Sequence, residues 1–167
     1  MRGMRHRLLS AAVVVVAFAG AACGRDVDLT QALEVTDVRT GWYDAGIVEG
    51  GKNKIVPSVS IRLKNRSAAT VASVQLNAIF RQVNDSAAWG EHFAKAIGPG
   101  GIPSGGATDP IVLRSNLGYT SADQSRLQML RNSQFVDAKV EIYGKTGSRT
   151  WVKLGEFAIA RDLLTEQ

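Results

Sequence analysis

The residue whose chemistry stands out in this sequence is Cys23, the single cysteine among 167 residues. A thiolate is a strong nucleophile, a metal ligand and a partner for a second thiol. The chain has no second thiol, so Cys23 forms no internal disulfide. An unpaired cysteine calls for a special explanation. The position of Cys23 in the chain favours covalent modification of its thiol.

Residues 1–22 have the three parts of a secretory signal peptide. The start is basic, with Arg2, Arg5 and Arg7 and no acid. Residues 8–22 carry no charge and end in small side chains just before Cys23. This stretch is shorter than the ~20 apolar residues that a membrane-spanning helix needs. We therefore expect residues 1–22 to be removed on export.

The Gly-Ala-Ala-Cys string at residues 20–23 resembles the lipobox of bacterial lipoproteins, with Gly20 where that family usually has an aliphatic residue. The resemblance implies that the thiol of Cys23 is joined to a diacylglycerol and that Cys23 becomes the first mature residue. Two acyl chains give stable attachment to a membrane surface. Gly24 and Arg25 follow, and the lack of Asp there favours the outer membrane, facing the periplasm, in a Gram-negative host. An ordinary signal peptide, with Cys23 incidental, is the alternative.

The mature residues contain no evident catalytic or metal-binding set. His92 is their only histidine, and no serine lies in a G-x-S-x-G string. A hydrolase needs a nucleophile and an oriented base, and zinc needs three or four ligands. The Gly-Pro-Gly-Gly string at residues 98–101 lacks the lysine and the context of a phosphate loop. We expect no enzyme activity, no cofactor and no metal, and we interpret His92 as a sheet-face or surface residue.

Length and charge favour one domain without affinity for nucleic acid. The mature chain has 145 residues, enough for one core. The signal takes three of the 20 basic residues, which leaves 17 against 15 acidic ones and a net charge of +2. The expected organisation is a signal peptide at 1–22, a lipidated tether at 23–30, a sandwich domain at 31–162 and a C-terminal tail at 163–167.

Alternating apolar and polar residues predict half-buried β-strands along most of the mature chain. The clearest alternation is at 55–65, 71–83 and 135–143, and further strands are expected at 32–43, 111–114 and 151–159. One apolar face per strand indicates antiparallel sheets with one wet side. The apolar phase slips between Val35 and Val38 and again at Gly155, which predicts β-bulges at these two points.

Two segments are harder to assign. Residues 88–97 carry large side chains every fourth position, which fits either a helix or a strand; Gly90 and the strand-rich surroundings favour a strand. The Ser-Ala-Asp-Gln string at residues 121–124 is a capping-box pattern. It predicts one short helix at 122–131, with Leu127 and Leu130 facing inward.

About seven short strands and one short helix predict an immunoglobulin-like antiparallel β-sandwich. The Leu-Lys-Asn-Arg-Ser strand end at 63–67, the strand at 71–83 and the Gly/Pro loop leading into 111–115 resemble the immunoglobulin-like modules of bacterial lipoproteins. The FxLYD-type domains are the nearest named group, although the FxLYD string itself is absent. The resemblance covers roughly residues 33–159, and it implies a module that binds or spaces other molecules and has no active site.

Aromatic side chains are the remaining candidates for a binding surface. Trp42, Tyr43 and Tyr119 would form an amphipathic interaction patch, for a partner or a glycan, if the three rings lie together at the surface. Core packing is the alternative explanation for each of these rings, and also for Trp89 and Trp151.

The leading functional hypothesis is a non-catalytic binding or assembly module. It would be held on a membrane of the bacterial cell envelope by the lipid at Cys23 and would contact another envelope protein, with edge strands available for β-augmentation. The alternative is an accessory lipoprotein of a transport or envelope-biogenesis system that binds a lipid or other small ligand; it predicts a deep apolar pocket between the sheets. An enzyme built around His92 is the third possibility.

Overall fold

The computed structural model of this protein describes residues 27–165. The expected signal peptide at 1–22 and Cys23 lie outside the described residues. Residues 27–165 are mainly β, with 54% strand and 9% helix. Its strands form two sheets around one apolar core, so the predicted β-sandwich is confirmed. Within residues 27–165, no helix has the length and apolar character needed to cross a membrane.

Nine strands and two short α-helices are formed by residues 27–165. The strands are β1 (Leu33–Val48), β2 (Lys52–Asn65), β3 (Val74–Gln82), β4 (Gly90–Ile97), β5 (Ile111–Arg114), β6 (Tyr119–Ser121), β7 (Ala138–Thr146), β8 (Val152–Ala158) and β9 (Leu163–Leu164). Helices α1 and α2 cover Leu29–Ala32 and Arg126–Arg131. Strands β6 and β9 are additional to the predicted seven, because three and two residues are too few to show an alternation.

The first sheet has the strand order β5-β2-β1-β9, with β6 also paired to β2, and the second has the order β4-β3-β7-β8. Neighbouring strands are antiparallel, as predicted, except that β9 runs parallel to β1. After β8 the chain crosses from the second sheet to the first, where the carbonyl of Asp162 accepts a hydrogen bond from the backbone N–H of Trp42 at 2.7 Å. The expected tail at 163–167 therefore begins inside a sheet, and Leu164 is buried.

The apolar faces predicted for β2 and β3 meet in the core. Val59, Ile61 and Leu63 of β2 and the alternate residues of β3 from Val74 to Phe80 are fully buried. Ser58 was predicted on the polar face and is also fully buried. Ser58 lies opposite Arg114 in register, and the Arg114 guanidinium reaches across this outer face to stack on the ring of Tyr43, 3.6 Å from its centroid.

Both predicted irregularities are present. The pairing of β1 with β2 shifts between Thr36 and Arg39, and Asp37 has a φ of 52° there. The pairing of β7 with β8 shifts beside Gly155, which leaves one extra residue in β8. Residues 90–97 form strand β4, so the strand interpretation of this segment is confirmed over the helical one.

A helix is present within the predicted range 122–131, but the predicted first residue is wrong. Helix α2 begins at Arg126, and its capping box is Ser125 with Gln128. The same Ser-x-x-Gln pattern occurs four residues earlier, but there the Ser121 hydroxyl accepts from the N–H of Gln124 in a turn, because pairing with β2 keeps residues 119–121 extended. The later start also changes the inner face: Met129 and Leu130 are buried, whereas Leu127 is 51% exposed.

The short helix α1, near the start of the described residues, packs against the sandwich. Helix α1 is capped by Asp28, whose carboxylate accepts from the N–H of Thr30, and Leu29 and Ala32 of this helix are buried in the core. The predicted tether at 23–30 therefore overlaps with an element of the folded domain. Only three residues lie between Cys23 and Val27, where the described chain begins.

Candidate functional site

The three rings predicted to form a surface patch do not lie on one surface. Trp42 is fully buried between the sheets. Tyr43 lies on the outer face of the first sheet, where it carries the Arg114 guanidinium. Tyr119 is partly buried beside Trp42, with 5.6 Å between ring centroids. The proposed patch of Trp42, Tyr43 and Tyr119 is therefore wrong, because consecutive residues of a strand point to opposite faces.

Trp42 and Tyr119 instead belong to a cluster of four rings that Trp89 and Phe135 complete. The ring centroids of Trp42 and Phe135 are 4.7 Å apart in an edge-on arrangement, and those of Tyr119 and Phe135 are 4.9 Å apart. Trp89 lies 4.9 Å from Tyr119 and 6.1 Å from Trp42. Such pairs add about 0.5–1.5 kcal/mol each to the burial of the rings. The cluster therefore fixes four separate segments of chain at one end of the sandwich.

The hydroxyl of Tyr119 connects the cluster to the second sheet. It accepts a hydrogen bond from Gln82 Nε2 at 3.0 Å and donates one to the carbonyl of Val136 at 3.2 Å. Burial raises the pKa of Tyr119 above its ordinary value of 10.0. The phenol therefore stays neutral at physiological pH and acts as a structural hydrogen-bonding group.

A surface cleft of about 310 Å³ opens beside these rings. Its apolar floor is formed by Tyr119, Met129 and Phe135. Its rim is polar and consists of Thr120, Ser121, Asp123, Gln124, Asn132 and Gln134. We call this site the aromatic cleft. An apolar floor surrounded by a few hydroxyl, amide and carboxylate groups suits an apolar side chain or another small group that also needs hydrogen bonds.

The backbone near the rim is held by local hydrogen bonds. The Asn53 amide donates to the carbonyl of Gln124 at 2.8 Å, and the Asn132 side chain accepts from the N–H of Gln134 at 2.9 Å. The carboxylate of Asp44 pairs with Arg126, which ties the start of α2 to β1. The aromatic cleft is therefore largely preformed, which lowers the entropy lost when a ligand binds.

The aromatic cleft lies at the end of the sandwich away from residue 27. Tyr119 pairs with Ile55 near the start of β2, whereas Leu33, just after α1, pairs with Asn65 at the other end of β2. Asn65 is ten residue positions after Ile55 along this extended strand, which corresponds to about 33 Å. A chain tethered through its N-terminus would therefore carry this cleft on its far end.

His92 is engaged in a structural contact. Its Nδ1 lies 2.9 Å from the carbonyl oxygen and 3.3 Å from the backbone nitrogen of Arg114, so the imidazole bridges β4 and β5. Among residues 27–165, no three histidine, aspartate or glutamate side chains are grouped as a metal ion would require. The interpretation of His92 as a sheet residue agrees with its place on β4.

Comparison with known proteins found no matching family model, no matching curated protein and no matching solved structure.

An ion-pair network lies on the outer face of the second sheet. Glu141 accepts from Lys153 Nζ and from Arg81 Nε, each at 2.9 Å, and its side chain is only 12% exposed. The hydrogen bond from Lys153, followed by that from Arg81, lowers the pKa of Glu141 from 4.5 to about 2. Lys153 also pairs with Glu156, and Lys139 pairs with Glu156 at 3.0 Å. These pairs link β3, β7 and β8, so the network is a structural contact between strands.

The edges of the second sheet are partly blocked. At β4, side-chain hydrogen bonds connect this strand to residues 114–116. The His92 ring contacts the backbone carbonyl of Arg114, and Asn116 Oδ1 accepts a hydrogen bond from the N–H of Glu91 at 3.0 Å. At β8, the bulge beside Gly155 interrupts the regular ladder. Bulges and covered backbone groups hinder the addition of a further strand. Neither edge of the second sheet is therefore a regular, open site for a further strand.

A second group of side chains, some exposed and some partly buried, lies near residue 27. Phe93 is 59% exposed, and its ring lies 6.1 Å from that of Trp151. The Lys145 ammonium lies 4.7 Å from the centroid of the Trp151 ring. Lys95 and Arg149 are exposed in the same region. We call these five residues the hairpin surface, because Lys145, Arg149 and Trp151 belong to the β7–β8 hairpin.

Sequence reasoning found Trp42 and Tyr119 but not the ring cluster. The members stand at positions 42, 89, 119 and 135, with no regular spacing, and Phe135 was interpreted only as the start of a strand. The rim of the cleft lies in β6 and in the turns before and after α2, and the hairpin surface joins β4 to the β7–β8 hairpin, which follows about 50 residues later in the chain. No local pattern marks contacts of this kind, so only the folded chain reveals them.

Proposed function

We propose that this chain is a lipid-anchored, non-catalytic binding module of the bacterial cell envelope, and that the aromatic cleft receives part of another envelope protein. The lipid would be attached at Cys23, and the outer membrane would be the site in a Gram-negative host. The observation that carries the proposal is the aromatic cleft itself, which combines an apolar floor of Tyr119, Met129 and Phe135 with a polar rim.

A protein segment suits the cleft better than a larger small molecule does. At about 310 Å³, the site is at the small end of the range for ligand pockets and is open to solvent along one side. It has room for one or two side chains of a loop, whose backbone would meet the amides and hydroxyls of the rim. Aromatic anchors with polar surroundings are typical of protein contacts.

The alternative, an accessory lipoprotein that binds a lipid or other small ligand, requires a deep apolar pocket between the sheets. Phe80, Ile61, Leu76 and Ile142 occupy that space as fully buried members of one core cluster. This packing favours the protein-binding proposal over the alternative.

Site-specific photocrosslinking in cells tests the proposal. A benzophenone amino acid at Gln134, an exposed rim residue, is expected to give a discrete adduct with another protein. The matched control is the same group at Ser104, which is exposed in the Gly/Pro loop near the opposite end. Adducts of equal intensity at both positions, or none at Gln134 and at neighbouring Asp123, would rule out the cleft as the contact site.

A further inference from the structure

We propose that the hairpin surface, formed by Phe93, Lys95, Lys145, Arg149 and Trp151, docks on the anionic phospholipid head groups of the membrane that carries the lipid anchor. This inference rests on the proposed lipid attachment at Cys23. It adds a second membrane contact and, with it, a fixed orientation of the sandwich.

The start of the described chain lies beside the β7–β8 hairpin. Val27 and Leu29 form a surface cleft of about 380 Å³ together with Lys145, Arg149 and neighbouring hairpin residues. Leu29 also packs near Gly144: a Cβ atom added to Gly144 would lie 3.4 Å from the Cδ1 atom of Leu29. The hairpin therefore flanks the point from which the chain leads back to Cys23.

The chain between Cys23 and the fold is too short to hold the hairpin far from a membrane. The chain makes four Cα-to-Cα steps from Cys23 to Val27, and a fully extended chain spans at most about 14 Å over that length. Acyl chains on Cys23 would therefore keep Val27, and with it Lys145 and Arg149, within about that distance of the lipid head groups. The aromatic cleft, at the other end of the sheets, would face away from the bilayer.

The chemistry of the hairpin surface matches an anionic interface. Residues 145–151 contain Lys145, Arg149 and Trp151 and no acid. Tryptophan prefers the level of the head groups, and basic side chains attract anionic lipids. A membrane is favoured over a protein partner here because the anchor would bring these side chains to it.

Quenching of tryptophan fluorescence by brominated lipids tests the inference on the full mature lipoprotein. The protein is reconstituted in vesicles of phosphatidylcholine with brominated phosphatidylglycerol. Trp42 is buried and Trp89 packs in the ring cluster at the far end, so Trp151 is the indole in reach of the lipid. Quenching is expected for the wild type and should be lost in Trp151→Phe. In Lys145→Gln, the ratio of docked to undocked hairpin should fall about five-fold, because one positive charge is removed.

A matched control moves the reporter to the other end of the molecule. In the double variant Trp151→Phe, Ile47→Trp, the new indole replaces a side chain that is 71% exposed near the β1–β2 turn. It should not be quenched. Equal quenching at positions 47 and 151 would overturn the proposed orientation.

The same vesicles separate the two proposals. Vesicles that float together with unquenched protein would disprove the docking of the hairpin and leave the lipid anchor intact. Protein that does not float with the vesicles would contradict the anchor, and the docking with it. A photocrosslinker at Thr150 that forms a protein adduct in cells, together with an unquenched Trp151, would assign the hairpin surface to a protein partner instead.

Discussion

Trp42 and Tyr43 are consecutive residues of β1 whose rings lie on opposite sides of the same sheet. The Trp42 ring is fully buried in the core cluster, 4.7 Å from Phe135. The Tyr43 ring lies on the outer face and supports the guanidinium of Arg114 at 3.6 Å. This division assigns Trp42 to the stability of the core, where its ring packs against Tyr119 and Phe135 of the cleft floor, and it leaves Tyr43 in a surface contact.

The two neighbours should differ strongly on truncation. Trp42→Ala is expected to lower the free energy of unfolding by about 3–5 kcal/mol, because it removes a large ring from a packed core. Tyr43→Ala removes a partly exposed stacking contact worth about 0.5–1 kcal/mol. Urea denaturation followed by circular dichroism measures both. Similar losses for the two variants would contradict the assignment of the rings to opposite faces.

Stability should fall in acid through Glu141. Its pKa is depressed from 4.5 to about 2, so the ionised carboxylate stabilises the fold fully above pH 4.5 and this contribution is lost as the pH falls towards 2. Glu141→Gln is expected to cost about 1–2 kcal/mol at pH 7 and progressively less below pH 4.5. Denaturation curves of both proteins across this range measure the difference. A difference that does not change with pH would show that Glu141 stays unpaired in solution.

The half-exposed Glu156 provides the control for that experiment. Its side chain is 40% exposed and pairs with Lys139 and Lys153. Because solvent screens exposed ion pairs, Glu156→Gln should cost less than Glu141→Gln at every pH above 4.5.

Gly101 and Gly105, in the same loop, should respond differently to alanine. Both have a positive φ, of 69° and 76°, so each substitution carries a backbone cost of about 1 kcal/mol. At Gly101, a Cβ would also come within 2.6 Å of the Thr70 methyl and 2.8 Å of the Val71 carbonyl, whereas at Gly105 nothing lies within 4 Å. Gly101→Ala should therefore lower the melting temperature more than Gly105→Ala does. The reverse order would indicate that the bridge between Val71 and Ile102 is not formed.

Replacement of Cys23 tests the anchor on which both proposals depend. Cys23→Ala should move the protein from the membrane fraction to the soluble fraction of cells, because two acyl chains supply the attachment. Mass spectrometry of the wild type should find a diacylglycerol on residue 23. Cys23→Ser is the closest control in size and should behave like the alanine variant. Wild-type protein that carries no lipid would contradict the proposed anchor.

The strands of the sandwich could be predicted because alternation is a local property. A residue that must face the core repeats every second position, and residues 74–80 and 59–63 show this pattern without reference to any partner strand. The bulges near Asp37 and Gly155 were predictable for the same reason, since each shifts the phase of that alternation. The start of α2 could not be predicted in this way, because the Ser-x-x-Gln pattern occurs twice in succession. The helix begins after the second pattern because the pairing of β6 with β2 keeps the start of the first one extended.

By itself, the sequence of this protein determined its strands, most of their buried faces and the expectation of a signal peptide that ends just before Cys23. Only the tertiary structure decided which distant side chains meet: the rings of Trp42, Trp89, Tyr119 and Phe135 at one end, and the hairpin surface beside residue 27 at the other. The physical reason is that burial is imposed residue by residue through the apolar pattern. A site is instead formed where side chains from segments far apart in the chain become neighbours. Which side chains become neighbours depends on the order and the register of the strands in each sheet.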